Sequence, residues 1–265
     1  MTGDTTNELA EFHDELRAVA RDLLAPTSPL VTGGEPAQVD WPKLAQAGWP
    51  GLEVPEADGG AGASFAEVAV VLEELGRAAA ASPFLGTVLA VGALGLVEPS
   101  AGRDGLLAGI ATGHVVATVA VPTGAVDLDA GRLPFVVERV DGAVHLAGNV
   151  PFVPDAPDAD RILVVADDAA SGGPVLVDLA RGAGLAVETT PVIDASRSFG
   201  AVVADGAPVA GDRCWRLTGD PHDLLVRGAL AVAVDSINVA GASDADAAVS
   251  MAKAHAAESA VTATG

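Results

Sequence analysis

The sequence predicts an α+β fold in three consecutive parts: an N-terminal α-helical domain (1–112), a middle antiparallel β domain (113–219) and a C-terminal helical part (220–265). Apolar residues recur at three- and four-residue steps through the first part, the helical period. From about residue 114 that period gives way to short β-branched runs separated by turn signals. After residue 220 the pattern returns to apolar, Ala-rich helices.

Each element follows in order. Leu9, Phe12, Leu16, Val19 and Leu23 form one apolar stripe of a first helix, which Pro26 and Pro29 end. Trp41 to Ala47 predicts a short helix closed by Gly48. Leu52-Glu53-Val54-Pro55-Glu56 leads into a loop containing Gly59, Gly60 and Gly62. Ser64 and Glu67 have the spacing of a capping box, and Val68, Val71, Leu72 and Leu75 supply the buried stripe of the helix they start. Ser82-Pro83 opens an apolar helix reaching about Leu96. Val115 to Val121 reads as a strand. Val136 to Val140 and Ala143 to Leu146 flank Asp141-Gly142, a hairpin signal because a type I′ turn needs positive φ at both central residues. Ile162 to Val165, Val175 to Val177 and Leu185 to Thr190 add short strands, giving a small antiparallel sheet or barrel. Leu224 to Val234 and Asp244 to Val261 predict two closing helices, the second with Met251, Ala254 and Ala257 on one face.

Composition narrows the function. The 265 residues are 50% hydrophobic, too apolar for a disordered acidic chain. Asp and Glu number 36 against 14 Lys and Arg, a formal charge of −22. Nucleic acid and an anionic membrane both attract a basic face, so neither is an expected partner. Cys214 is the sole cysteine, which excludes an internal disulfide or a cysteine-based zinc site. A reducing, cytoplasmic location is expected on that ground. The acidic N-terminus is unlike a signal peptide, and no apolar run reaches the roughly 18 residues of a membrane span.

Several polar groups read as structural. His13, His114, His145, His222 and His255 lack metal-ligand spacing, so no metal site is expected. The glycine loop has neither the Lys-Ser/Thr of a phosphate loop nor a preceding strand. Glu73 and Glu74 diverge on a helix and suit a solvated or salt-bridged face rather than acid/base work. Asp155, Asp158 and Asp160 read as a turn after a strand.

The local sequences nevertheless resemble the acyl-CoA dehydrogenase family. Leu44 through Glu56, followed by Gly59-Gly60, is similar to its N-terminal signature. So is Glu67 through Arg77, around Leu72-Glu73-Glu74-Leu75-Gly76-Arg77. Asp141 to Leu146, Gly148, Phe152-Val153 and Ala159-Asp160 resemble the stretch that lies against the flavin. Asp194 and Arg197 fit a further β-domain pattern, and Ala252-Lys253-Ala254 resembles a late helix of the C-terminal bundle. The resemblance implies removal of hydrogen from the α and β carbons of an acyl-CoA thioester: a glutamate takes the α proton and FAD N5 the β hydride. It places the cofactor against Val121, Pro122, Thr123, Phe152, Val153 and Pro154.

The chain also departs from that family. A flavin-binding threonine of the pattern falls on Ala120, a pyrophosphate-binding serine on Val126, and a further hydroxyl residue on Pro154. None of these side chains donates a hydrogen bond. Three such losses, at about 1 kcal/mol each, weaken a flavin site substantially. One group of members keeps its glutamate on the first C-terminal helix, where this chain has Leu224-Leu225-Val226-Arg227-Gly228-Ala229; no catalytic residue is therefore assigned. The junction of Ser236 with Ile237 reads as two helices joined without their usual intervening segment, and relatives continue beyond the position of Gly265. This pattern is similar to the degenerate subunit of actinobacterial α2β2 heterotetramers that act on steroid side-chain CoA thioesters. The resemblance thus implies a second acyl-CoA dehydrogenase subunit as partner, with FAD bound mainly by it or shared with it. A purely structural subunit, or a homo-oligomeric flavoenzyme with relocated catalytic groups, are the alternatives.

Overall fold

The computed structural model describes residues 2–24, 38–121, 133–192, 194 and 196–236. Among the described residues, five α-helices precede a sheet: α1 (Thr2–Leu24), α2 (Trp41–Gln46), α3 (Phe65–Arg77), α4 (Phe84–Leu94) and α5 (Ala101–Ala111). One follows it, α6 (Pro221–Ser236). The expected helix over Asp244 to Val261, and the prolines 26 and 29, lie outside the described residues. Among the described residues no helix is long and apolar enough to cross a membrane.

α3 starts as its sequence dictates. Ser64 accepts the Ala66 N–H at 3.2 Å, and Glu67 Oε2 accepts the Ser64 N–H at 2.8 Å. Glu67 is also buried against His13, whose Nε2 lies 2.7 Å from Oε1. Burial alone would raise the Glu67 carboxyl; the hydrogen bonds from His13 and Ser64 outweigh it and hold the group at about 2.

The expected stripe of α1 is turned. Phe12 and Val19 are 46% and 54% exposed, while Ala20 and Leu24 are buried and Leu16 and Leu23 pack beside them. The cause is electrostatic. α1 meets α3 through a ladder of charges, His13 to Glu67, Arg17 to Glu73 and Arg21 to Glu74. Glu74 is fully buried and also bonds Arg77. Its position in the interface selects the Arg17–Arg21 face of α1 over the Phe12–Val19 face. α4 stops at Leu94, not Leu96. α5 was not legible because Gly102, Gly105 and Gly109 interrupt it; Ser100 caps it, accepting the Arg103 N–H at 3.3 Å.

The sheet has eight strands: β1 (Ala117–Ala120), β2 (Phe135–Val140), β3 (Ala143–Pro154), β4 (Arg161–Asp168), β5 (Gly173–Ala180), β6 (Leu185–Thr189), β7 (Phe199–Val209) and β8 (Cys214–Arg216). Their order is β6-β7-β3-β2-β4-β5-β8, with β1 also beside β4. The Asp141-Gly142 hairpin forms, with φ of 51° and 84°. The expected all-antiparallel pairing fails at β4, to which β1 and β2 both run parallel. β3 reverses β2, and β4 reverses β3 on the far side of β2, so two reversals restore the direction. β1 pairs with Arg161 to Val164 and β2 with Ala166 to Asp168, so the two strands lie end to end along one edge of β4. β7 escaped the sequence reading because Gly200, Asp205, Gly206 and Pro208 break its apolar pattern; pairing on both sides, with β3 and β6, holds it.

β4 is buried on both faces. Ile162, Val164 and Ala166 enter one core with Phe135, Leu146, Val150, Val153 and Val202. Leu163 and Val165 face the other way, against Leu94, Leu107 and Ile110 of α4 and α5. A third cluster, with Trp49, Val71, Leu72, Phe84 and Ala231, joins α3, α4 and α6.

Candidate functional site

The ends of β1 and β3 come together. Thr118 Oγ1 donates to the Pro154 carbonyl at 2.6 Å, tying the two strands. Alternation along β1 sends Ala120 into the sheet core, fully buried, while Val121 packs half-buried on the helical side. On β3, Val153 is fully buried and Phe152 is 48% exposed, with its ring edge-on to Phe199 at 6.1 Å. Pro154 has no N–H, and its carbonyl is taken by Thr118. Pro122, Thr123 and Val126 lie outside the described residues.

Just beyond Pro154 lies a group whose role the sequence reading missed. Asp155, at φ 56°, is buried, and its Oδ2 accepts the Gly86 N–H in the first turn of α4 at 2.7 Å. Pro83 precedes α4 and cannot cap it, so the cap comes from the β domain. That missing cap was the available sequence signal; the partner, 69 residues away, was not readable. Burial pushes the Asp155 carboxyl up to about 7, against the pull of the Gly86 N–H and of Arg197. Arg197 itself joins three parts of the molecule. Its Nε donates to Asp235 of α6 at 2.9 Å and its Nη1 to the Ala80 carbonyl at 3.1 Å. Burial raises the Asp235 carboxyl too, opposed by Arg197.

A cleft of about 280 Å³ opens between α4, α5 and α6. Pro55, Val91, Leu96 and Leu107 give it apolar walls, and Glu53, Arg103 and Arg227 its charged groups. Arg227 belongs to the stretch of α6 where the resemblance looks for a base. It bonds Glu53 in a two-pronged ion pair, with Nη1 3.1 Å from Oε1 and Nη2 on Oε2. A guanidinium offers five N–H donors and no acceptor. No carboxylate lies between Leu224 and Val234.

Residues 6–113 match the family model described as Acyl-CoA dehydrogenase, N-terminal domain. The chain is 33% identical over 222 residues to acyl-CoA dehydrogenase FadE28 of Mycobacterium tuberculosis, an alignment covering 78% of this chain and 62% of that protein. The chain has the acyl-CoA dehydrogenase fold, and its residues 6–113 are the N-terminal domain of that family. Among solved structures of this fold, it is similar to a variant of the steroid acyl-CoA dehydrogenase Tcur3481-Tcur3483, with a TM-score of 0.71 and 27% identity, over 88% of this chain and 64% of that one. It is likewise similar to the ChsE4-ChsE5 complex of Mycobacterium tuberculosis, with a TM-score of 0.71 and 25% identity, over 85% of this chain and 62% of that one. It thus spans less than two thirds of the length of these relatives.

Acyl-CoA dehydrogenases generally bind FAD. The described residues do not fit that cofactor as a complete site. Ala120 and Val153 present buried hydrocarbon, and Pro154 has nothing to donate. Phe152 with Phe199 offers an aromatic surface for a flat ring.

Proposed function

We propose that this chain is the non-catalytic subunit of an FAD-dependent acyl-CoA dehydrogenase that α,β-desaturates an acyl-CoA thioester. In this reading a second acyl-CoA dehydrogenase subunit supplies the base and most flavin contacts, in an α2β2 assembly. The observation that carries it is the stretch of α6 where the resemblance looks for a base: it holds no carboxylate between Leu224 and Val234 and presents Arg227, a cation committed to Glu53. The buried methyl of Ala120 supports it, since no polar side chain awaits a flavin there. A steroid side-chain CoA is the proposed substrate class, by likeness to the steroid acyl-CoA dehydrogenase Tcur3481-Tcur3483. The likeness to a complex, ChsE4-ChsE5, supports a partner subunit. The activity, substrate and location in a reducing cytosol are part of this proposal.

Co-expression with the catalytic partner, followed by visible spectra and flavin-to-protein ratios, tests it. The chain alone is expected to be colourless, and the complex yellow with one FAD per heterodimer. Stoichiometric FAD on the chain alone overturns the reading. In single-turnover assays of the complex, preference for straight-chain over steroid CoA thioesters overturns the substrate class.

A further inference from the structure

Arg227 shapes the cleft as well as charging it. Its side chain runs across α4 rather than out to solvent, and the fold is cut to receive it. Gly92 is the cut: a Cβ there would lie 2.5 Å from both Cδ and Nε of Arg227. Nε donates to the Val88 carbonyl at 3.2 Å, and Cζ lies 4.8 Å from the centre of the Phe65 ring. Arg227 and Glu53 are 17% and 18% exposed, so the pair is largely withdrawn from water. A withdrawn, two-pronged arginine–carboxylate pair, held on further sides by a carbonyl and a ring, is a fixed object and not a mobile surface charge.

This object limits the cleft. Sites that bury a ligand of drug size run from about 300 to 1,000 Å³. The space left beside Arg227 is about 280 Å³ and carries charge on its walls. A fused-ring acyl group needs more room and an apolar lining.

We infer that Arg227, seated by Gly92 and held by Glu53, closes the acyl cleft of this chain, so that a bulky acyl group bound by the assembly lies in the catalytic partner alone. The inference rests on the subunit reading above. It also assigns Gly92 a purpose, which is to admit the arginine.

Isothermal titration of the full-length chain with free CoA, octanoyl-CoA and cholyl-CoA tests it. The wild-type chain is expected to bind neither thioester more tightly than free CoA. Arg227→Ala joins the vacated space to the cleft and is expected to favour octanoyl-CoA over CoA by about ten-fold. Arg227→Met keeps the bulk without the charge and is expected to stay closed. Should Arg227→Ala not fold, Glu53→Gln, which releases the guanidinium without leaving a hole, is expected to shift octanoyl-CoA in the same direction by a smaller factor. A wild-type preference for either thioester over CoA overturns the inference, as does the absence of any gain in the opened variants. Flavin content separates this outcome from the fate of the subunit reading. A colourless wild-type chain that prefers octanoyl-CoA sinks the cleft closure alone; a chain that carries stoichiometric FAD sinks the subunit reading whatever the titration gives.

Discussion

At the residue scale, Ser64 and Asp155 do the same job with opposite legibility. Both satisfy N–H groups at a helix start. Ser64 sits next to its helix and is readable from its spacing to Glu67. Asp155 caps α4 from just beyond β3, and its sequence surroundings speak only of a turn. Ser64→Ala is expected to cost about 1 kcal/mol in urea unfolding. Asp155 makes stability depend on pH. Its folded pKa is raised to about 7 from an ordinary 3.8, so the native state holds a proton that the unfolded chain gives up. Its contribution is complete below the unfolded value and is lost as pH rises through about 7. The urea midpoint is therefore expected to fall from about pH 4 to about pH 7. Asp155→Asn, which still accepts from Gly86, is expected to flatten that fall; an unchanged slope in this variant contradicts the assignment. The candidate flavin residues show a similar split. That Ala120 and Val153 lack donors was plain from their identity, whereas their burial in the core depended on strand alternation and a register only the fold supplies.

At the scale of elements, helix against helix is decided by charge and by small residues. The α1 stripe was readable as amphipathic, but the face it buries was set by Glu74 of α3, distant in sequence. A hydrophobic pattern names an apolar face and is silent about a partner that offers a carboxylate. α3 and α6 meet where Gly76 lies under the backbone of Asp235; a Cβ at Gly76 would fall 1.7 Å from the Asp235 carbonyl oxygen. Gly76→Ala must push α6 away, together with the Arg197–Asp235 pair at its end. A loss of about 1–3 kcal/mol is expected, as for overpacked cores, seen as a lower thermal midpoint. Gly105→Ala, with open space around it in α5, is expected to stabilise by about 0.5–1 kcal/mol on helix propensity alone.

For the whole molecule, the α+β class was legible because the apolar period changes twice along the chain. The parallel pairing at β4 was not, because it follows from the order in which strands are laid side by side and no local pattern records that order. Charge is a property of the whole as well. At −22 the folded chain repels itself, and added salt screens that repulsion. Raising sodium chloride from about 0.01 to 0.15 M shortens the Debye length from about 30 to 8 Å and is expected to raise the thermal midpoint. A midpoint that falls would mean that pairs such as Arg21–Glu74 and Arg139–Asp168 outweigh the net repulsion.

The end-to-end placement of β1 and β2 along β4 separates inheritance of shape from inheritance of chemistry. The chain leaves this edge at Ala120 and rejoins it at Phe135, and each strand is held by its own pairs to β4. Because each register is set by its own pairs, a change of sequence between those two anchors is expected to shift neither. A lineage can therefore rewrite the sequence between the two anchors while the sheet goes on folding.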